Sequence, residues 1–365
     1  MIKSCYIHIP FCEKICSYCD FCKEFYDKKK VREYLQKLKQ EIKEIYQGES
    51  LDTIYIGGGT PTCLEIEGIK QLLEITDSLK KEKNIEFTIE GNIESITQEK
   101  LDVMRKHGIN RISLGIESIH PKNLSFLERN HKKEEIVKTI KMIQESGISN
   151  INVDLIYAIP GETIEMLKED IEFLLSLNVK HISTYSLIIE EHTKLGIHKI
   201  EPIQEEVDYK MYQTIIQLLK ENQFIHYEIS NFAKPGYESR HNKCYWLNEE
   251  YYGFGLGASS YQDNRRKTNT RSLTNYPNKV VEEELLTEED TIEYEIVLNL
   301  RLLEGIDLRR FKKKYQKELK DLYSYGKLVQ NHLLVEEDNH IRIPEELLYV
   351  SNEIIVKFLQ TKQKI

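Results

Sequence analysis

The sequence lacks an apolar run long enough to cross a membrane. No hydrophobic stretch approaches the length of about 18 residues that is expected of a transmembrane helix. The first residues, 1–5, lead into an apolar segment without the pattern of a signal peptide. Basic residues are not in excess, because 51 lysines and arginines stand against 60 aspartates and glutamates, giving a net charge of -9. We therefore expect a cytoplasmic protein that has no nucleic-acid partner.

The spaced ligand pairs of an ordinary zinc site are also missing. Cys12, Cys16 and Cys19 have the spacing C-x3-C-x2-C, and no C-x2-C or H-x3-H pair follows the loop to complete a four-ligand site. Four of the seven cysteines lie between residues 12 and 22, which indicates metal ligation in a reducing compartment. Three thiolates suit a [4Fe–4S] cluster whose fourth iron has no protein ligand. The alternative is a zinc-bound structural protein. Cys22 is either a substitute ligand or a nearby free thiol, since three ligands already suffice for the cluster.

Short β-prone segments alternate with amphipathic helical segments up to residue 187. The predicted strands span 5–9, 53–57, 85–90, 111–115, 151–156 and 181–187. Six β–α units in a row predict parallel strands joined by crossover helices. This pattern leaves two architectures open, an open doubly wound sheet and most of a β/α barrel.

The positions of polar residues favour the barrel. The cysteine loop follows the first predicted strand, and a glycine turn at 57–60 follows the second. Glu90, Glu117 and Asp154 lie at the ends of the third, fourth and fifth strands. Barrel enzymes build their sites at this edge, so we predict an α/β fold with a partial (β/α)6 barrel. The glycine turn either presents N–H groups to a carboxylate or is a tight turn without a ligand, and it lacks the Lys-Ser/Thr ending of a P-loop.

The pattern changes after about residue 200. Residues 209–222 are predicted as a helix, 227–261 are rich in glycine and aromatics, and 263–276 are predicted as a loop. Helices are predicted at 282–303, 308–325 and from about 351, with a hairpin formed by 333–335 and 341–343. We predict a core domain at 1–230, a linking segment at 231–284 and a small α+β, winged-helix-like domain at 285–365.

A second motif lies at residues 241–246, His-Asn-Lys-Cys-Tyr-Trp, which contains the only tryptophan of the chain. Imidazole and thiolate both ligate haem iron, and aromatic rings stack on a porphyrin. The spacing alone leaves a structural turn with a packed tryptophan as the alternative. Arg129 is likewise either a bidentate partner for a carboxylate or a surface arginine.

The chain resembles a radical S-adenosylmethionine (SAM) protein of the oxygen-independent coproporphyrinogen III oxidase branch. Residues 6–12, the C-x3-C-x2-C loop and the run at 57–62 carry this resemblance, and matching segments continue to 350–353. The chain is more similar to the HemW-type haem chaperones, because residues 241–246 fit their HNxxYW signature. Phe21 stands where the oxidase branch has a fourth cysteine, and the N-terminal extension of the oxidase is missing.

The resemblance implies roles for particular residues. Cys12, Cys16 and Cys19 would bind the cluster, whose open iron would chelate the amino and carboxylate groups of SAM. The implied SAM pocket contains Tyr6, Gly58, Gly59, Thr60, Glu90, Glu117, Arg129 and Asp154. The implied haem-binding residues are His241, Tyr245 and Trp246. The sequence departs from the family at Glu117, where Gln is usual, at Ile93 for Pro, at Ala158 for Gly and at Ser259 for His.

Two functions follow from the resemblance. The first is a haem chaperone that carries haem as cargo to an acceptor protein, such as a respiratory haem enzyme at the membrane, with the cluster and SAM regulating transfer. Residues 285–365 would then be a HemN-type C-terminal domain. The second is an active oxidase that takes an electron from flavodoxin or ferredoxin, cleaves SAM to a 5′-deoxyadenosyl radical and decarboxylates porphyrinogen propionates.

Overall fold

The structure is a computed structural model that describes residues 1–277 and 280–363. Within these residues, twelve strands form one sheet. They are β1 Ser4–Ile9, β2 Leu51–Gly58, β3 Lys81–Asn92, β4 Arg111–Glu117, β5 Asn150–Tyr157, β6 His181–Ser186, β7 Ile225–Glu228, β8 Asn231–Ala233, β9 Tyr251–Phe254, β10 Ser259–Gln262, β11 Arg265–Asn269 and β12 Val280–Leu285. Their order is β12-β11-β10-β9-β1-β2-β3-β4-β5-β6-β8-β7.

The helices flank this sheet and build the C-terminal part. They are α1 Lys28–Ile45, α2 Ile66–Thr76, α3 Gln98–Lys106, α4 Pro121–Phe126, α5 Lys133–Glu145, α6 Ile164–Ser176, α7 Lys194–Ile197, α8 Glu205–Glu221, α9 Arg240–Trp246, α10 Glu288–Asn299, α11 Leu308–Tyr315, α12 Leu319–Leu322, α13 Gly326–Gln330 and α14 Ser351–Leu359. Short 3-10 helices span Pro61–Cys63, Ile93–Ser95 and Glu345–Val350. In the described part of the chain, no helix is both long and apolar enough to cross a membrane.

Strands β1 to β6 are parallel neighbours and confirm the predicted order of β–α units. Their alternation places apolar side chains such as Ile54, Phe87 and Ile112 in a core with no solvent exposure. The residues between them face the opposite side of the sheet. The predicted helices supply the outer layer: α1 begins at its cap Asp27, which accepts from the Lys30 N–H at 2.8 Å, and buries an apolar face.

The segment 231–284 differs from the linking segment predicted from the sequence, because it adds five strands to the sheet. Residues 263–276, predicted as a loop, include β11, which pairs with β10 and β12. The hairpin between β10 and β11 has a two-residue turn, Asp263 and Asn264, with φ of 49° and 58°. Both residues tolerate the left-handed conformation that such tight hairpins require. This Asp-Asn pair was the missed signal for a hairpin.

The predicted helix at 282–303 begins too early. Residues 280–285 form the edge strand β12, and α10 begins only after Thr287. The Thr287 side chain accepts from the Asp290 N–H at 3.1 Å, while Asp290 accepts from the Thr287 N–H at 2.8 Å. This reciprocal capping box fixes the start of the helix.

The C-terminal part is α+β, with its own apolar core between Ile292 and Phe358. Its three-stranded sheet contains Ile306–Asp307, Val335–Glu337 and His340–Arg342. The predicted helix at 308–325 is divided into α11 and α12, because Gln316 takes a left-handed conformation, with φ of 54°, and ends α11. Residues 278–279 and 364–365, which belong to two of the predicted domains, lie outside the described residues.

One buried carboxylate joins α1 to the segment that follows β9. Glu41 accepts hydrogen bonds from the Gly255 N–H at 2.8 Å, the Asn269 amide at 2.7 Å and the Tyr276 hydroxyl at 2.6 Å. We expect Glu41→Leu to lower the free energy of unfolding by about 2–4 kcal/mol, because these donors lose their shared acceptor. Urea unfolding followed by circular dichroism measures the change. Glu44→Leu, on the exposed side of the same helix, is the matched control and should have little effect.

Candidate functional site

A cavity of about 750 Å³ opens at the carboxyl ends of the parallel strands. Strands β2 to β6 each contribute to its lining, through Tyr55, Glu90, Ser113, Asp154 and Ser183. These side chains come from alternate positions of the strands, on the face that does not pack against the outer helices. The cavity is therefore the interior of the incomplete barrel, as the positions of the polar residues predicted.

All three cysteines of the loop after β1 line this cavity. Cys12 is buried, and its sulfur accepts a hydrogen bond from the Thr60 hydroxyl at 3.7 Å. The loop is anchored by Ser17, whose hydroxyl donates to the Phe126 carbonyl at 2.9 Å. Burial raises the pKa of the Cys12 thiol to about 11, so a metal centre bound here would displace its proton.

The donor set fits a cluster better than a single ion. In residues 1–277 and 280–363, no group of three or more His, Cys, Asp or Glu side chains converges on a position for one metal ion. A [4Fe–4S] cluster is held through thiolates bound to different irons, so it does not require such convergence. Cys22 does not join the three cysteines, because it lines a separate cavity.

The glycine turn after β2 lies against the cysteine loop and holds a carboxylate. The Gly58 N–H donates to Glu90 Oε2 at 2.9 Å, and the Tyr55 hydroxyl donates to Glu90 Oε1 at 2.7 Å. Removal from water raises the pKa of Glu90 to about 7. A cationic group that entered the cavity would favour its ionised form.

A buried ion pair links the cavity wall to the cysteine loop. Arg129 Nη2 lies 3.3 Å from Glu117 Oε2 and donates to the Gly115 carbonyl at 2.8 Å, while Nη1 lies 3.9 Å from the Cys16 sulfur. The Tyr18 hydroxyl donates to the other Glu117 oxygen at 3.2 Å. Burial raises the pKa of Glu117 to about 7. Arg129 is thus part of the site and not a surface arginine.

Sequence reasoning missed a charged residue that is buried in the cavity wall. Arg111, the first residue of β4, is almost fully buried and lines the cavity, and its Nε has no hydrogen-bond partner in the described part of the chain. Alternation was the available signal, since it places Arg111 on the same face as Ser113. Asp154 on the next strand accepts from Ser113 at 3.3 Å and from the Asn152 amide at 2.9 Å.

The structure brings together seven of the eight residues predicted for SAM. Those that line the cavity are Gly58, Gly59, Thr60, Glu90, Glu117, Arg129 and Asp154. Tyr6 instead lines a second cavity of about 400 Å³ on the other side of the cysteine loop. Its hydroxyl is 2.9 Å from His8 Nδ1.

The three residues predicted for haem do not form one site in the structure. His241 is buried, with Nδ1 2.8 Å from the Thr53 hydroxyl and Nε2 2.7 Å from the Tyr245 hydroxyl. Burial lowers the pKa of His241 to about 3, and neither ring nitrogen is left for an iron. Tyr245 lines the second cavity, whereas Trp246 lines neither of the two cavities and has Arg301 6.0 Å above its ring.

The fold is an incomplete β/α barrel with three cysteines after its first strand. A cavity lined by acidic and basic side chains opens at its carboxyl edge. Together these features define a radical SAM protein. The family comparisons agree, because the Radical SAM superfamily model matches residues 6–174 and the HemN C-terminal domain model matches residues 286–346. The coproporphyrinogen III oxidase (HemN) from Escherichia coli, a radical SAM enzyme, has the same fold, with a TM-score of 0.86 at 22% identity over 98% of this chain and 90% of that one.

The sequences of similar proteins identify the family within this class to which the chain belongs. The heme chaperone HemW of Lactococcus lactis is 36% identical over 98% of this chain and 97% of its own length. The HemW of Bacillus subtilis is 35% identical over 98% of this chain and 99% of its own length. The HemW of Escherichia coli is 32% identical over 73% of this chain and 74% of its own length. The chain belongs to the HemW family.

The cluster ligands can be tested one by one. We expect Cys12→Ala, Cys16→Ala and Cys19→Ala each to prevent assembly of the cluster, because each removes one of its thiolates. Cys22→Ala is the matched control and should retain it. Iron and acid-labile sulfide per chain, measured after anaerobic reconstitution, check this. An equal loss in Cys22→Ala would contradict the assignment.

Glu117→Gln tests the ion pair beside the cluster loop. Removing the negative charge frees Arg129 for a ligand carboxylate, so SAM should bind about tenfold more tightly. The same loss of charge near Cys16 should raise the reduction potential of the reconstituted cluster. Equilibrium dialysis and a redox titration by electron paramagnetic resonance measure the two effects. Glu190→Gln, an exposed carboxylate on the same cavity, is the control.

Proposed function

We propose that the chain is a haem chaperone that binds haem and passes it to an acceptor protein. The observation that carries this proposal is the similarity to HemW relatives along nearly the whole length of the chain. The structure has two cavities, and if the larger one takes the cluster and SAM, the second is left for the cargo, which supports the proposal.

The residues of the larger cavity suit SAM in charge and position. Cys12, Cys16 and Cys19 would hold the cluster, and in this superfamily such a cluster supplies one-electron reduction of SAM. Glu90 would accept from the ammonium of SAM, and Arg129 would pair with its carboxylate. We propose that this occupancy regulates haem transfer.

The oxidase alternative has weaker support. The solved structure of the Escherichia coli oxidase shares the fold at 22% identity, and such a likeness speaks to architecture alone. A flavodoxin or ferredoxin donor would be needed only if SAM is turned over.

We place the protein in the cytoplasm and propose a respiratory haem enzyme at the membrane as the acceptor.

The test is a pair of assays on the anaerobically reconstituted protein. Titration with haem should shift the Soret band and saturate. Incubation with SAM, coproporphyrinogen III and a strong reductant should yield no protoporphyrinogen. A saturable Soret shift without decarboxylation supports the chaperone, whereas protoporphyrinogen formation or the absence of any shift would contradict it.

A further inference from the structure

The second cavity has the chemistry of a porphyrin site. Its lining includes Tyr6, Tyr245, Tyr251 and Phe21, together with Arg271 and Cys22. Tyr245 and Tyr251 meet edge to face, with ring centroids 4.6 Å apart, and Phe21 is 68% exposed at the rim. Its volume of about 400 Å³ is within the range of ligand pockets, about 300–1,000 Å³. A flat apolar ring system would cover these aromatic side chains.

The cavity also contains a guanidinium group, that of Arg271, which suits the propionate of a porphyrin. Arg271 donates from Nη2 to the Asp20 carbonyl at 2.6 Å, and the guanidinium has four further N–H donors. It is 57% exposed on its side chain, so a propionate can reach it from solvent. The nearest acidic group is the Asp20 carboxylate, 3.9 Å away, which is already hydrogen-bonded to His192.

Besides its tyrosines, the cavity contains two residues of the types that hold haem iron, His8 and Cys22. His8 has both ring nitrogens in hydrogen bonds, Nδ1 with the Tyr6 hydroxyl at 2.9 Å and Nε2 with the Cys22 carbonyl at 2.8 Å. The Cys22 thiol makes only a weak contact, 4.0 Å from the Arg271 carbonyl. Cys22 is therefore the ligand that can turn to an iron at least cost, releasing its proton to solvent.

His241 stands behind this cavity and orients one of its walls. Its Nε2 is hydrogen-bonded to the Tyr245 hydroxyl at 2.7 Å. Its ring stacks on that of Tyr55 in the larger cavity, with 5.1 Å between the ring centroids. The HNxxYW segment thus reaches the second cavity through Tyr245. His241 is a positioning residue and not an iron ligand.

We propose that haem binds in this second cavity, across Tyr245 and Tyr251, with Arg271 on a propionate and Cys22 on the iron. The proposal rests on the proposed chaperone function and names its cargo site. It leaves the larger cavity to the cluster and SAM.

The test uses full-length reconstituted protein with haem and with iron-free protoporphyrin IX as probes. Arg271→Glu reverses the charge at the propionate, and Ser259→Trp fills the cavity from an exposed position on its lining. Both should weaken binding of both probes by about tenfold or more. Arg265→Glu, an exposed arginine of β11 that does not line the cavity, is the matched control. Cluster content and SAM binding should be unchanged in all three.

The iron ligand and the role of His241 have separate readouts. Cys22→Ser should move the Soret maximum of bound haem and leave protoporphyrin binding unchanged. His241→Ala should weaken both probes without moving the maximum, and His241→Gln, which can still bond Tyr245, should restore part of the affinity. A shifted maximum in His241→Ala would overturn the positioning role, and an unshifted one in Cys22→Ser would overturn the iron assignment.

Failure of this site can be distinguished from failure of the chaperone function. If the unmodified protein binds no haem, the proposed function is wrong and the site with it. If it binds haem and Arg271→Glu and Ser259→Trp bind equally well, the function stands and this site is wrong. Loss of haem binding in Tyr349→Ala, on the lining of the larger cavity, would then assign haem to that cavity.

Discussion

The packing of the cysteine loop between two glycine turns is the constraint on which both cavities depend. The loop leaves β1, and the turns follow β2 and β9, which are the two neighbours of β1 in the sheet. A Cβ at Gly59 would lie 2.7 Å from the Phe11 carbonyl and 2.9 Å from the Cys12 sulfur. On the other side, a Cβ at Gly257 would lie 2.7 Å from that of Cys22. Only glycine allows the backbone to approach this closely, and the loop is therefore a fixed wall shared by the two cavities.

A row of aromatic rings also connects the two cavities. Tyr55 belongs to the larger cavity and Tyr245 and Tyr251 to the smaller one, and His241 lies between them. Because His241 is neutral and bonded at both nitrogens, it can transmit a displacement of Tyr55 to Tyr245 without a change of charge. Such a connection would allow a ligand in the larger cavity to influence the second cavity.

The sequence was most informative where local chemistry determines structure and least where distant segments meet. Periodicity identified the six parallel strands, and the positions of Glu90, Glu117 and Asp154 at strand ends predicted that these side chains share one cavity. The strand β11 was missed because its alternation is weak and its stability comes from pairing on both sides and from contacts such as Asn269 with Glu41. The surroundings of His241 were not predictable for a similar reason: the motif shows its residue type, but only the fold shows that Thr53 and Tyr245 are hydrogen-bonded to its nitrogens.

The charges of the larger cavity explain why a cationic cofactor suits it. Its interior contains the carboxyl groups of Glu90, Glu117 and Asp154 and the guanidinium groups of Arg111 and Arg129. With all of them ionised the sum is one net negative charge, and SAM, with its sulfonium, ammonium and carboxylate, carries one net positive charge. Loss of water raises the pKa of Glu90 to about 7, so this carboxyl group is only partly ionised near pH 7 when no cation lies beside it. A cation bound beside Glu90 lowers this pKa and releases a proton, so the contribution of Glu90 to the affinity for SAM rises as the pH increases through about 7.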